Sequence, residues 1–287
     1  MSQTISPVVT QAVVIHPSAI VDPRARLGAG VQVGPWCQVG PDVTLGDGVR
    51  LVSHVVVDGR TTIGAGTVVW PFTTIGLAPQ DLKYAGEPTA CEIGARCTIR
   101  ENVTIHRGTV GGGGLTRIGD DCLLMAVAHV AHDCLIGDRV IIVNNVVLGG
   151  HVQIGDHARI MGSSAVHQFV RIGRAAMVGG VCGVEADVIP YGSVIGNRAR
   201  LVGLHWIWLR RNGVSAPEIR RLRQAFRTLY PRGSEEGGVF TERLAAMRAE
   251  YGADPRVAEI LAFIDAPSRR GLVRPAQVHA EDEADGV

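Results

Sequence analysis

From Ile15 onward an aliphatic residue falls at every sixth position, through Val21, Leu27, Val33, Val39, Leu45, Leu51, Val57, Ile63 and Val69 to Ile75. The beat returns at Ile93, Ile99 and Ile105, and again from Ile118 in six-residue steps to Val184. A period of six suits neither the 3.6-residue turn of an α-helix nor the two-residue alternation of a long strand. It suits a strand of about four residues ended by a turn, with three such units closing one coil of a triangular prism. Stacked coils then pair as parallel strands about 4.8 Å apart, with the aliphatics on the axis. Glycine, Asp and Asn between the beats supply the left-handed corner conformations. The pattern therefore predicts an all-β parallel β-helix over 12–196.

Two segments interrupt it. Residues 77–92, LAPQDLKYAGEPTACE, keep the phase but put Asp81 and Glu87 where aliphatics belong, which predicts a loop leaving the prism. Residues 111–117, GGGGLTR, add seven residues to one coil and read as a flexible excursion. The beat ends at Pro190. From residue 215 the period becomes helical: Ser215 and Glu218 stand at capping-box spacing, followed by Ile219, Leu222, Phe226 and Leu229. Further helical patterns cover 239–251 and 255–265. A small α-helical C-terminal domain is expected over 197–270, and the acidic 271–287 is expected to be disordered.

Composition narrows the field of functions. The 287 residues carry 28 basic and 27 acidic side chains and are 46% hydrophobic, which suits a soluble protein and argues against a nucleic-acid binder. No apolar run is long enough for a membrane anchor. No leader precedes Ile15, and the six cysteines never take CxxC spacing, so reduced thiols in the cytoplasm are expected. Lys83 is the single lysine, and it lies in the first interruption.

The stretch VAHVAHDCLIGD (127–138) brings candidate chemistry. Counting hexads across the excursion puts those of Ile105, Val130, Leu148 and Val166 on one face of four successive coils. They hold His106, His132, His151 and His167, with His129 beside them, whereas His16, His54 and His157 fall elsewhere as surface or turn residues. Three readings remain open at this point. The histidines form a polar ladder, or a zinc site as in metal-dependent lyases of prism fold, or a general base oriented by its neighbour Asp133. No pair shows established ligand spacing, so neither metal nor cofactor is expected.

The segments QDLKYAGEPT (80–89), NVTIHRGTVGGGGLT (102–116), AHDC (131–134), GGHVQIGD (149–156), AVHQFV (165–170) and LRRNG (209–213) together resemble the acyl-carrier-protein:UDP-N-acetylglucosamine O-acyltransferases, hexapeptide-repeat enzymes of the first step of lipid A synthesis. The resemblance covers about residues 12–265. It implies a left-handed winding, a homotrimer with sites between subunits, and transfer of an (R)-3-hydroxyacyl group from acyl carrier protein to the glucosamine 3-position of UDP-N-acetylglucosamine. It implies His132 as the general base, Asp133 as its orienting carboxylate and the Gly150 N–H as oxyanion donor. It also implies substrate contacts from Gln80, Asp81, Lys83, His106, His129, His151, His167, Gln168, His205 and Arg211. Gly180 matches the position that sets acyl-chain length. Exposed arginines near residues 210–227 are expected to meet the acidic carrier protein.

Some features depart from that family. LHWIWLRRNG (204–213) has His205, Trp206, Ile207 and Trp208 where polar nucleotide contacts are usual, and Asn212 where a second arginine is common. Relatives that form an amide on a 3-amino sugar keep that substrate as an alternative. The N-acylating relative carries an extra N-terminal domain, for which hexads beginning at Ile15 leave no room. A catalytically dead scaffold is opposed by the intact His132–Asp133 pair.

Overall fold

The computed structural model describes residues 12–231 and 238–276. Among them the hexads form three sheets of eleven, nine and eight short strands, parallel throughout the prism. Each coil gives one strand to each sheet. Ile99 of the first sheet lies between Val69 and Leu124, Ile105 of the second between Ile75 and Val130, and Ile93 of the third between Ile63 and Ile118. The in-phase aliphatics from Val33 to Val184 are no more than 3% exposed, so the periodic residues are themselves the core. Each contributes about 1.5–3 kcal/mol through burial.

The corners carry the strain. Asp133, His151 and Phe169 stand one coil apart at the corner between second and third sheets, with φ of 59°, 62° and 66°. Left-handed backbone costs an L-residue about 1–2 kcal/mol. Hydrogen bonds between coils hold it: the His151 N–H donates to His132 O at 3.0 Å and the Phe169 N–H to Gly150 O at 3.1 Å.

The first interruption is narrower than the pattern predicts, and the second begins and ends earlier. Leu77 still belongs to strand Thr74–Leu77 and Ala90 opens strand Ala90–Ile93, so the loop leaving the prism is 78–89. Strand Leu115–Ile118 pairs with Ala90–Ile93 over its full length, so the excursion is 107–114. The four glycines hid this strand, although Thr116 and Ile118 already alternate inward.

The C-terminal part also differs. Strand Arg200–Leu204 runs back antiparallel along Gly192–Ile195 and closes the first sheet, so helix begins after it. Helices α1 (Trp206–Arg211), α2 (Ala216–Leu229), α3 (Phe240–Tyr251) and α4 (Pro255–Asp265) follow. Ser215 and Glu218 form the expected capping box of α2. The Tyr191 hydroxyl donates to Glu259 of α4, tying the helices to the last coil. Beyond α4 the chain returns to the prism as a strap. The Asp187 N–H donates to Gly271 O at 2.7 Å and the Val273 N–H to Asp187 O at 2.9 Å. Residues 271–276, expected to be disordered, are thus docked, because buried Val273 and half-buried Leu272 give them apolar anchors. The acidic residues 277–287 lie outside the described residues. No helix among the described residues is long and apolar enough to cross a membrane.

Candidate active site

His132 and Asp133 form the turn between second and third sheets. Their adjacency folds the imidazole onto the carboxylate, with His132 Nδ1 2.7 Å from Asp133 Oδ2. An ionised carboxylate only accepts, so Nδ1 carries the proton and Nε2 is left as the acceptor. The Asp133 side chain is wholly buried, while that of His132 stays 16% exposed, so the ring alone opens to a ligand.

The excursion supports that carboxylate. The Thr109 N–H donates to Asp133 Oδ1 at 2.9 Å and its hydroxyl to Oδ2 at 2.6 Å. The Asp133 N–H donates to Thr116 Oγ1 at 2.8 Å. Gly112 lies so close that a methyl group there would overlap the carboxylate. The glycine run read as flexible is therefore a fitted cover whose missing side chains make room for Asp133.

The other histidines gather at the same corner but not in a straight column. His106 and His167 each follow their aliphatic directly, His132 comes one place later and His151 two, so the rings fan around the turn. His151 meets His132 edge to face at 5.1 Å, and its Nδ1 is 3.8 Å from Asp133 Oδ2. His129 bonds to Thr104 Oγ1 at 2.7 Å and meets His106 edge to face at 5.1 Å. Burial pushes the His106 ring down to about 4, helped by its neighbours His129 and His132, and desolvation likewise lowers His129 and His151. Burial thus favours the neutral form of all three rings. His167 and Gln168 are exposed on the next coil.

Gly150 lies directly above His132 in the stack. A methyl group on it would come within 2.6 Å of His132 Cε1 and 2.7 Å of Nε2, so only glycine leaves the ring its place. The Gly150 N–H has no acceptor among the described residues.

Loop 78–89 bends to this corner. Arg107 Nε–H donates to the Tyr84 hydroxyl at 2.8 Å, which donates to Glu87 O at 2.7 Å, while Arg60 donates to Pro88 O at 3.1 Å. The motifs QDLKYAGEP, IHRGT and AHDC thus meet in one chain of contacts, Tyr84 to Arg107 and Thr109 to Asp133. Asp81 and Lys83 line a cleft of about 610 Å³ with Asp133, His151, Phe169 and Arg269. Gln80 is exposed on the same loop.

Three expected site residues stand apart. Gly180 is on the opposite edge of the second sheet, beside Gly162. Arg211 is exposed at the end of α1. His205 is a correction: it is 7% exposed, and its Nδ1 lies 3.0 Å from Ala175 O at another corner. There it fastens α1 to the prism, with little surface left for a nucleotide. Thr109 and Arg269 carry no signal in the hexad pattern, since only the excursion and the strap bring them to this corner, whereas Phe169 follows from the stack one coil beyond His151.

The ligating atoms of His132, Asp133 and His151 lie within 4.8 Å of one another, close enough to surround a cation. His132 Nδ1 and both Asp133 oxygens are already engaged in hydrogen bonds.

A hexad-wound left-handed β-helix with a histidine–carboxylate pair at a corner defines a hexapeptide-repeat transferase. The bacterial transferase hexapeptide model matches residues 24–59 and 115–150, and the UDP-N-acetylglucosamine O-acyltransferase domain 2 model matches 187–273. The acyl-[acyl-carrier-protein]–UDP-N-acetylglucosamine O-acyltransferase of Rhizobium leguminosarum bv. trifolii is 46% identical over 94% of this chain and 97% of its own. The Paracoccus denitrificans protein of the same name is 53% identical over 72% of this chain and 77% of its own. The crystal structure of the UDP-N-acetylglucosamine O-acyltransferase of Moraxella catarrhalis superposes with a TM-score of 0.86 at 42% identity, covering 91% of this chain and 99% of that one. The chain belongs to the acyl-[acyl-carrier-protein]–UDP-N-acetylglucosamine O-acyltransferase family, and it is an acyltransferase.

Proposed function

We propose that the protein transfers an (R)-3-hydroxyacyl group from acyl carrier protein to the 3-hydroxyl of UDP-N-acetylglucosamine, the first step of lipid A biosynthesis, by general-base catalysis without a covalent enzyme intermediate. His132 Nε2 takes the sugar hydroxyl proton, and Asp133, fixed by Thr109, stabilises the imidazolium. The sugar oxygen attacks the thioester carbonyl, and the Gly150 N–H receives the oxyanion. Collapse expels the carrier's thiolate, which recovers the proton from His132. The carrying observation is the 2.7 Å contact between His132 and a fully buried Asp133.

No cysteine competes as nucleophile. All six are buried, and burial pushes the thiols of Cys91 and Cys134 up to about 12. Buried free thiols also suit a cytoplasmic enzyme.

Gln80, Asp81, Lys83, His106, His129, His151, His167 and Gln168 surround the substrates in this reading, with no metal or cofactor taking part. Gly180 and Arg211 join them from a neighbouring copy in a homotrimer. Support comes from the second sheet, whose outward residues Thr104, His129, Val147 and Ala165 run without a formal charge, unlike Glu92, Arg117 and Arg171 on the third. Arg220, Arg221, Arg223 and Arg227 are exposed on α2, a basic face suited to an acidic carrier protein. The test is an acyl-transfer assay with UDP-N-acetylglucosamine, its 3-amino analogue and a ladder of 3-hydroxyacyl carrier proteins. Transfer to the hydroxyl sugar is expected; transfer only to the amine analogue, or to neither, contradicts the reading.

A further inference from the structure

The cleft at the histidine corner has an uneven charge arrangement. Each of its carboxylates is engaged: Asp133 by Thr109 and His132, Asp81 by the Lys83 N–H at 3.0 Å, Glu87 by the Ala85 N–H at 2.9 Å. Its Arg171 is paired with Asp187 at 2.8 Å. The two remaining cations, Lys83 and Arg269, have neither a carboxylate partner nor a side-chain hydrogen bond among the described residues.

Arg269 is held in place nonetheless. Its guanidinium lies 4.5 Å from the Phe169 ring centroid, and that ring stacks on His151 at 4.3 Å and 7°. On either side the strap is pinned: Ser268 Oγ accepts the Gly271 N–H at 2.9 Å, and Arg270 Nε–H donates to Gln168 O at 2.8 Å. A guanidinium stacked by its face keeps its edge N–H groups for an anion, and its position is already fixed before binding.

We infer that Arg269 of the C-terminal strap and Lys83 of loop 78–89 together bind a phosphate group of a substrate in the cleft lined by Asp133 and His151. This rests on the proposed reaction, whose two substrates offer the chemistry as a nucleoside diphosphate and as the phosphodiester of the carrier's pantetheine arm. Phosphate accepts the planar fork of arginine in two parallel bonds, which a lysine supplies only as a point charge.

The test measures binding of UMP and of 4′-phosphopantetheine to the full-length protein by calorimetry, for wild type, Arg269→Ala and Arg269→Lys. Arg269→Ala should weaken one of the two ligands about tenfold, with Arg269→Lys in between, since a charge-assisted hydrogen bond carries about 1.5–3 kcal/mol. The ligand affected identifies the source of the phosphate. Affinities unchanged within about twofold for both ligands would overturn the inference. Should Arg269→Ala fail to fold, wild-type binding of inorganic pyrophosphate decides: it must weaken as salt rises, and salt-independent or absent binding overturns the site. Phosphate binding without acyl transfer would remove the reaction and leave the site standing.

Discussion

Thr109 gives both of its donors to Asp133, the N–H to Oδ1 at 2.9 Å and the hydroxyl to Oδ2 at 2.6 Å. The same Oδ2 faces His132 Nδ1 at 2.7 Å, so the hydroxyl fixes the oxygen that fixes the ring. Thr109→Val keeps the shape and removes one donor. Its kcat should fall about tenfold or more, matching roughly 1.5–3 kcal/mol for a hydrogen bond to a charged group. Thr109→Ser should recover most of the rate, and equal loss in both variants would assign Thr109 to packing alone.

Gly150 tests the fit of the ring. A methyl group at 2.6 Å from His132 Cε1 must displace the imidazole, and a displacement of about 1 Å costs on the order of 100-fold in rate. Gly150→Ala should therefore lose about that much kcat. Gly111, whose added methyl would meet nothing within 4 Å, supplies the control. A Gly150→Ala enzyme as fast as Gly111→Ala would separate this glycine from catalysis.

Gly180 has room to spare, since the nearest atom to an added methyl is Gly162 O at 3.5 Å. Gly180→Met should fold normally and shift the preferred acyl chain towards shorter lengths. An unchanged profile across the carrier-protein ladder would remove Gly180 from the acyl groove.

His106 makes the fold sensitive to acid. Its ring falls from the ordinary 6.5 to about 4, chiefly through burial, so the folded chain binds fewer protons there than the unfolded chain. The stability gained by keeping it neutral is complete above about pH 6.5 and is lost as pH falls towards 4, on the order of 2 kcal/mol. Urea unfolding at pH 7 and pH 4.5 should show a smaller drop for His106→Gln than for wild type. Equal drops would place the acid sensitivity elsewhere.

The prism was legible because each coil repeats one instruction: an inward aliphatic such as Ile105, Val130 or Leu148 at every sixth place leaves a single way to bury the set. The His132–Asp133 pair was legible for the same reason, since its members are adjacent and the hexad count fixes their corner. What the sequence concealed depends on segments that leave the period. Thr109 reaches Asp133 only because glycines at 108 and 112 let the excursion fold down on it. His205 stands in a motif that suggests a nucleotide contact, yet its neighbour Ala175 belongs to a coil 30 residues earlier. Arg269 stands 100 residues after Phe169, in a stretch whose acidic sequel masked the anchoring power of Leu272 and Val273.

The most direct test is acyl-transfer turnover of His132→Ala at pH 7, with folding checked by thermal melting. Removal of a general base should lower kcat by roughly 10²–10⁴-fold while the melting temperature holds. A folded His132→Ala enzyme that turns over within about threefold of wild type would contradict the proposed chemistry.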